Sequence, residues 1–252
     1  ATHLMDVGVQ CSLRQLLESG FFHADPHPGN LLATPDGKLA YLDFGMMSEV
    51  KPYQRYGLIE AVVHMVNRDF EGLANDYVKL EFLTPDTDLT PIVPALATVF
   101  NHALGASVAE LNFKSITDQL SEVMYEYPFR VPAYYALIIR SLVTLEGIAI
   151  NVDPNFKVLS KAYPYVAKRL LTDPSPELRA SLRDLLFKDG SFRWNRLENL
   201  LNNARGNTDY DINKVVDQTV EYLFSERGDV IRTQLVDVIV RGLDTVGSNF
   251  FR

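Results

Sequence analysis

Short polar residues of the kind that carry chemistry are concentrated between His23 and Gly45. A phosphoryl-transfer centre needs a carboxylate that orients the nucleophile or accepts its proton, and it needs oxygen ligands for Mg²⁺. Asp25, Asn30 and Asp43 are residues of these types, and they flank a short apolar stretch. Polar side chains beside an apolar hairpin require a partner, and a metal-bound phosphate would supply one. The segment therefore predicts a phosphate-handling site.

The order and spacing of these residues match the catalytic loop of protein kinases. In that loop a histidine is followed by an aspartate two residues later and an asparagine five residues after the aspartate; a hairpin then leads to Asp-Phe-Gly. His23, Asp25, Asn30 and the tripeptide at 43–45 reproduce this arrangement. Six matching residue types at set offsets arise by chance at a given position with odds on the order of one in ten million. The match is specific.

Three departures from the ordinary kinase pattern are informative. Ala24 stands where most protein kinases carry the arginine that pairs with a phosphorylated activation loop. His27 stands where they keep a lysine, and no Ala-Pro-Glu follows Gly45 to close an activation segment. The usual platform for a protein substrate is therefore not expected.

The sequence His-x-Asp-x-His-Pro-Gly-Asn with a nearby Asp-Phe-Gly resembles the UbiB-like, or aarF-domain (ADCK), atypical kinase family. The resemblance is firm over residues 3–82 and looser to residue 172, and the later helices are similar to the longer plastid and cyanobacterial members. It implies ATP and Mg²⁺ as cofactors. The implied roles are catalytic for Asp25, His23 and His27, cofactor-binding for Asn30, Asp43 and Gly45, and metal-ligating for Asn30 and Asp43.

The resemblance also implies a biological role and a missing part. The role is ATPase or small-molecule kinase activity in isoprenoid-quinone, ubiquinone or tocopherol-type prenyl-lipid metabolism, in a plastid, a cyanobacterial cytoplasm or a mitochondrion. The family's amino-terminal lobe carries a Lys-x-Gly-Gln element and a nucleotide loop, yet this chain has no lysine before Lys38. We therefore expect a carboxy-terminal lobe that is inactive alone, with the amino-terminal lobe as its partner. Quinone-pathway membranes or proteins are further possible partners.

Local patterns predict the elements that would position the site. Apolar residues at helical spacing predict a helix over 4–18 that ends at Ser19-Gly20. The segments 31–34 and 39–42, separated by Pro35-Asp36-Gly37, predict a hairpin. From Pro52 onward, periodicity and helix breakers predict helices over 52–68, 70–82, 91–109, 115–127, 131–149, 155–171, 175–187, 192–205, 211–226 and 229–247.

These elements predict a mainly helical α+β fold, a protein-kinase-like C-lobe with a short two-stranded hairpin and an appended helical region. The lobe is expected over residues 1–173, with the catalytic loop at 23–30, the hairpin at 31–42 and Asp-Phe-Gly at 43–45. The extension is expected over 174–252, where the last two helices would form a helical hairpin.

Composition excludes several classes of protein. The 252 residues include 47% hydrophobic residues, enough for a packed core, which excludes a disordered chain. The net charge of -8 argues against a nucleic-acid partner, since phosphate binding draws on a surplus of lysine and arginine. The single cysteine cannot form an internal disulfide, which favours a reducing compartment. The most apolar stretch contains Arg140 and Glu146, so we expect a buried helix and no transmembrane segment.

Two alternatives remain open at the level of sequence. His23, Asp25 and His27 alternate, so in an extended strand they would share a face and could form a two-His, one-carboxylate metal site. Pro26 and Pro28 disfavour that strand. The other alternative is a helical interaction module that retains a kinase remnant, which the intact Asp25, Asn30 and Asp43 argue against.

Overall fold

The fold was analysed in a computed structural model that describes residues 2–104, 113–188 and 191–205. Its contacts divide the chain into two compact units, Ala1–Val166 and Ala167–Arg252, and each is described by itself. Seven helices begin in the described part of the first unit: α1 (Thr2–Arg14), α2 (Pro52–Val66), α3 (Phe70–Lys79), α4 (Ile92–Leu104), α5 (Phe113–Glu126), α6 (Ala133–Val152) and α7 (Val158–Thr172).

The predicted hairpin is confirmed. It consists of β2 (Leu31–Ala33) and β3 (Leu39–Tyr41), which pair antiparallel with Leu31 opposite Tyr41. The turn between them contains Gly37 at φ 79°, a left-handed conformation that glycine adopts without steric cost. The hairpin therefore sets the distance between the residues before β2 and those after β3.

A second antiparallel pair was not expected from the sequence. β1 (Phe21–His23) pairs with β4 (Met47–Glu49), with His23 opposite Met47, so the first unit has a short strand pair in addition to the predicted hairpin. Each strand has three residues, too few to show an alternating pattern. In the chain, β1 precedes the hairpin and β4 follows it. This outer pair joins the start of the predicted catalytic loop to the end of the Asp-Phe-Gly segment.

The entry helix ends where the sequence predicts. After α1 the chain widens into a π-helical turn, Gln15–Ser19, and Gly20 follows at φ 73°. A Cβ atom on Gly20 would lie 2.7 Å from the carbonyl oxygen of Val50, so glycine is required by both the backbone conformation and the space. The chain can therefore turn directly from the helix into β1.

The main core of the first unit lies among α2, α3, α4 and α5. Phe70 of α3 stacks on Phe100 of α4, and Tyr77 contacts Phe82, which in turn meets Tyr135 of α6 edge to face. Each fully buried aromatic or branched side chain contributes about 1.5–3 kcal/mol of transfer free energy, and aromatic pairs add to that. These four helices are therefore packed together around a shared apolar core.

Helix α6 is long and apolar. By length and composition it is the one helix among the described residues that could cross a membrane. Its buried polar residues are nevertheless bonded to neighbouring elements: Ser141 Oγ donates to the carbonyl of His23, and Glu146 accepts from the backbone N–H of Val158. Such bonding is how a core helix accommodates polar groups.

The second unit is described as far as residue 205. It contains α8 (Pro176–Leu186), a pair of two-residue strands, β5 (Phe187–Lys188) and β6 (Ser191–Phe192), and α9 (Trp194–Arg205). The β5–β6 pair is a further strand pairing that the sequence did not predict. The unit boundary falls inside α7, whereas the helix breakers favour a boundary at 173–174, which stays a prediction.

The helices predicted from periodicity are confirmed within the described residues. Their observed ends lie within a few residues of the predicted ones, which is the usual uncertainty at helix termini. The end of the helix predicted over 91–109, and both helices predicted over 211–226 and 229–247, lie outside the described residues.

Candidate active site

His23 is the structural centre of the predicted catalytic loop. Its imidazole is buried, and its Nε2 atom lies 3.0 Å from the carbonyl oxygens of both Leu42 and Asp43. Its Nδ1 accepts the backbone N–H of Asp25 at 3.2 Å, so the proton is assigned to Nε2, which donates to the two carbonyls. Both ring nitrogens are thereby occupied. The geometry makes His23 a positioning residue that joins the catalytic loop to the Asp43 segment.

The backbone N–H and carbonyl of His23 are also hydrogen-bonded. Its N–H donates to Gln15 Oε1 at 3.0 Å, and its carbonyl accepts from Ser141 Oγ at 3.2 Å. These bonds anchor β1 to the π-helical turn on one side and to α6 on the other. The entry helix and α6 therefore determine where the catalytic loop begins.

Asp25 carries the carboxylate predicted to orient a nucleophile. The side chain is 21% exposed, and its Oδ1 accepts a hydrogen bond from Arg140 Nη2 at 3.0 Å. His27 Nε2 lies 3.9 Å from its Oδ2, beyond hydrogen-bonding distance. Asp25 is thus oriented by one bond from α6 while the carboxylate remains accessible.

Arg140 is a site residue that sequence reasoning did not identify. It lies 115 residues after Asp25, in the middle of the long apolar helix α6, and from the sequence it is only a charge that interrupts an apolar stretch. A charged residue in such a helix is expensive unless it is paired, which is the signal that could have found it. Its partner could not have been named, because no local pattern links the two positions.

Asn30 ends a single 3₁₀ turn, Pro28–Asn30, which His27 caps by accepting the N–H of Gly29 at 3.0 Å. The Asn30 side chain is buried, and its Nδ2 donates to the carbonyl of Asp25 at 3.1 Å. The amide nitrogen is therefore committed to the loop. The amide oxygen is the atom left as a metal ligand.

Asp43 is brought beside Asn30 by the hairpin. The N–H of Leu42 donates to the carbonyl of Asn30 at 2.8 Å, so the residue after Leu42 lies next to the 3₁₀ turn. Asp43 has φ 54°, an uncommon conformation for a residue other than glycine, and its Oδ1 accepts the N–H of Gly45 at 3.2 Å. Strained backbone of this kind tends to occur at functional sites.

Gly45 is needed for that turn. A Cβ atom there would lie 3.1 Å from Asp43 Oδ1, closer than an ordinary van der Waals contact. A larger residue would therefore displace the carboxylate that the predicted site uses. This is a steric reason for the glycine of the Asp-Phe-Gly tripeptide.

The predicted residues fit a magnesium-phosphate site in their donor chemistry. Mg²⁺ is usually held by one or two protein carboxylates, or other oxygen ligands, and by the phosphates of its substrate. Asn30 and Asp43 would supply two oxygens from adjacent positions. Among the described residues, no group of three or more His, Cys, Asp or Glu side chains could hold a metal by itself. Such a pair of oxygens suits a metal that arrives with a nucleotide.

The alternative metal site at His23, Asp25 and His27 does not fit the geometry. Both nitrogens of His23 are engaged by the backbone, and Nδ1 of His27 caps the 3₁₀ turn. The loop between them is irregular and not an extended strand, as the two prolines indicated. His27 lies at the exposed rim of the site, and the other predicted residues are connected through His23.

Two family models match this chain. The ABC1 atypical kinase-like domain matches residues 1–77, and the UbiB helical domain matches residues 96–157. The first match contains the catalytic loop, both strand pairs of the first unit and α2. The second contains α5, α6 and Arg140.

Three curated relatives cover nearly the whole chain. An uncharacterized protein of Synechocystis is 74% identical over 99% of this chain and 37% of its own length. The Arabidopsis thaliana protein ACTIVITY OF BC1 COMPLEX KINASE 3, chloroplastic, is 58% identical over 94% of the chain and 34% of its own length. An uncharacterized aarF domain-containing protein kinase, also chloroplastic and from Arabidopsis, is 45% identical over 97% of the chain and 37% of its own length.

This chain therefore spans little more than a third of the length of these relatives. Their cyanobacterial and chloroplastic sources support a plastid or cyanobacterial origin, in agreement with the resemblance of the later helices. The catalytic-loop geometry, the two domain matches and the relatives converge on one assignment: the chain belongs to the ABC1, or UbiB-like, family of atypical kinases.

Proposed function

We propose that the protein containing this chain is a phosphoryl-transfer enzyme, a kinase or ATPase, that uses ATP with Mg²⁺. The observation that carries the proposal is the set of bonds from Asn30 through Asp25 and His23 to Asp43. These bonds hold one carboxylate for a nucleophile and two oxygens for a metal at one end of a rigid hairpin. Family membership supports the same chemistry.

Each residue has a distinct role in this proposal. Asp25 orients the attacking hydroxyl or water and accepts its proton, and Arg140 holds the Asp25 carboxylate in place. Asn30 and Asp43 would hold Mg²⁺, which would neutralise charge on the transferred phosphate. His23 positions the catalytic loop. His27 lies at the exposed edge of the site, with its Nε2 3.9 Å from Asp25 Oδ2.

We also propose that this chain forms the carboxy-terminal wall of the ATP cleft and has little activity alone. Around Asp43 the large apolar side chains of Leu32, Leu42 and Phe44 are 51%, 41% and 63% exposed. Contiguous exposed apolar side chains are typical of a surface that another domain covers. The amino-terminal lobe of the same protein is the proposed partner, and the greater length of the relatives supports it.

The biological role we propose is support of prenylquinone or related prenyl-lipid metabolism in a plastid or cyanobacterium, with ubiquinone biosynthesis as the equivalent role in other members. The proposed partners are the membranes or proteins of that pathway, with plastoglobules or thylakoids as the plastid setting. The family resemblance supports this role.

Deleting the gene in its source organism should alter the prenylquinone pool, measured by chromatography of extracted lipids. An unchanged pool would count against the proposed role.

The central proposal can be tested with matched aspartate variants of the full-length protein. Asp43→Asn should lower the rate of Mg²⁺-dependent ADP release by about 10²–10³-fold, because a charged oxygen ligand is lost. Asp36→Asn is the control, since Asp36 lies in the turn of the same hairpin and pairs with Thr34 and the exposed Lys38 of that turn. Equal turnover by both variants would contradict the catalytic assignment.

A further inference from the structure

In the described part of the chain, strand β1 pairs only with β4, so one edge of β1 has no partner strand. The backbone groups of alternate residues in an antiparallel strand point away from the partner. The N–H of Ala24 donates to the carbonyl of Met46, so the N–H and carbonyl of the preceding residue, His23, point away from β4. His23 is buried, which makes both groups costly to leave unpaired.

Side chains from two helical elements complete that edge. Gln15 is the first residue of the π-helical turn, and its Oε1 accepts the N–H of His23 at 3.0 Å. On the other side, Ser141 Oγ of α6 donates to the carbonyl of His23 at 3.2 Å. These two side chains therefore take the place of a third strand, and Gln15 comes from the turn immediately before β1.

The Gln15 amide has one orientation in this arrangement. A backbone N–H can only donate, so the amide oxygen must face His23 and the amide nitrogen must point elsewhere. The Nε2 atom donates to Cys11 Sγ at 3.3 Å, one turn earlier in α1. A glutamate at position 15 would keep the acceptor for His23, whereas a leucine of similar size would remove it.

The turn that carries Gln15 is itself held by two helices of the same unit. The Arg55 guanidinium of α2 donates to the carbonyl of Glu18, and the Tyr165 hydroxyl of α7 donates to the Glu18 carboxylate. A π-helical turn is rare and is frequently found at a functional site. Contacts with α2 and α7 therefore fix the position of the Gln15 amide, in addition to the local helix geometry.

The same face of α1 also supports the imidazole of His23. Gly8, Ser12 and Gln15 follow one another at intervals of four and three residues, so they lie on one face of the helix. The Tyr41 hydroxyl donates to the carbonyl of Gly8 at 3.2 Å, and the Tyr41 and His23 ring centroids are 5.8 Å apart. The entry helix is thus connected to both the backbone and the ring of His23.

We propose that Gln15 is a positioning residue of the catalytic loop. It holds the backbone of His23, whose ring accepts the N–H of Asp25 and donates to the carbonyl of Asp43. The Gln15 bond therefore fixes both aspartates relative to α1. A displacement of about 1 Å at such a site can lower a rate about 10²-fold. The inference rests on the proposed function, because Gln15 acts through the role of Asp25.

Two substitutions of Gln15 in the full-length protein test this role. Gln15→Leu leaves the His23 N–H unpaired, so kcat for Mg²⁺-dependent ADP release should fall at least about tenfold. KM for ATP should stay unchanged, because no group that contacts the nucleotide is lost. Gln15→Glu keeps the acceptor oxygen and should recover most of the rate. Circular dichroism and thermal unfolding give the folded fraction, so that kcat is compared per folded molecule.

The matched control is Gln10→Leu. Gln10 is also half-buried in α1, but it lies five residues before Gln15, about 140° around the helix axis, and so on a different face. This variant should leave both kinetic constants unchanged. Normal kcat in Gln15→Leu, equal losses in the two leucine variants, or no recovery in Gln15→Glu would each overturn the inference.

Asp43→Asn separates failure of this inference from failure of the proposed function. If ADP release depends on Asp43 but Gln15→Leu has normal kcat, Gln15 is not a positioning residue and the enzyme assignment stands. If Asp43→Asn turns over normally, the enzyme assignment fails, and the role of Gln15 in that enzyme fails with it.

Discussion

The catalytic loop and the α2–α3 interface each place a histidine beside an aspartate, with opposite results. In the loop, His27 Nε2 lies 3.9 Å from Asp25 Oδ2, and the two side chains are 48% and 21% exposed. Between the helices, His64 Nδ1 lies 2.5 Å from Asp76 Oδ2, and the side chains are 17% and 1% exposed. The same two residue types form an open, incompletely paired site in one region and a closed ion pair in the other.

The buried pair belongs to a larger set of charges. Lys79 Nζ lies 2.7 Å from Glu60 Oε2 and 3.7 Å from Asp76 Oδ1, so charges of both signs alternate across the interface. Gly72 lets the helices approach, since a Cβ atom there would lie 2.9 Å from the His64 ring. Charges that satisfy one another in this way hold elements together and leave little for a ligand.

This difference shows how functional polar residues can be distinguished from structural ones in this chain. Asp25 and Asp43 keep carboxylate oxygens accessible at one end of the hairpin, beside the buried Asn30, and Asp43 adopts a strained backbone conformation. The carboxylates of the α2–α3 interface are buried, and the charges there are paired with each other. Accessibility together with incomplete pairing marks the functional cluster, whereas residue type alone does not.

The largest difference between the regions should appear when each aspartate is removed. Asp76→Ala would leave His64 without its buried partner, although Lys79 would keep Glu60, so the free energy of unfolding should fall by about 3–5 kcal/mol. Asp25→Ala removes a partly exposed carboxylate and should lower it by about 1 kcal/mol or less. Urea denaturation of both full-length variants measures this. Similar losses in the two variants would show that the loop pair is also structural.

A smaller effect should follow from changing Arg140. Arg140→Gln removes the bond that orients Asp25, so kcat for ADP release should fall about tenfold, as expected for a lost hydrogen bond to a charged group. KM for ATP should stay unchanged because Arg140 acts through Asp25, and Arg140→Lys should recover part of the rate.

The matched control for Arg140 is Arg130→Gln, which changes an exposed arginine in the connection before α6. It should leave both kinetic constants unchanged. A rise in KM with constant kcat in Arg140→Gln would instead mean that Arg140 contributes to ATP binding and not to the position of Asp25.

The smallest effect concerns pH. Burial opposes protonation of His64, but the hydrogen bond and negative charge of Asp76, with weaker contributions from Asp69 and Glu60, raise the pKa of His64 above its usual value. Because the folded-state pKa exceeds the unfolded value of about 6.5, the stabilisation is complete below that pH and is lost as pH rises through the folded pKa. Burial also raises the pKa of Asp76. This shift, like that of His64, makes the folded state more stable at lower pH.

Stability should therefore decline as the pH is raised above about 6.5, and His64→Gln should remove part of that decline. His27→Gln is the control and should retain it, since His27 is half exposed and its Nε2 is 3.9 Å from Asp25 Oδ2, beyond hydrogen-bonding distance. Unfolding free energies measured over a pH series provide the comparison. Identical pH profiles for the two glutamine variants would contradict a special role for the buried pair.

Much of the fold could be predicted because its signals are local. Helical periodicity, Gly20 after α1 and the turn at Gly37 are properties of a few neighbouring residues, and the corresponding elements were confirmed. The β1–β4 pair could not be predicted, since strands of three residues show no periodicity. Residues at helical spacing from His64 do not indicate its hydrogen-bond partner, Asp76, which lies beside it from the next helix.

The sequence by itself determined the order and spacing of His23, Asp25, Asn30 and Asp43, and with them the family and the chemistry that the site could perform. These features are encoded in residue types at short offsets, where chance matches are rare. Only the tertiary structure decided that His23 positions the loop and that Arg140 orients Asp25. Contacts between distant residues depend on how helices pack, and packing leaves no fixed spacing in the chain.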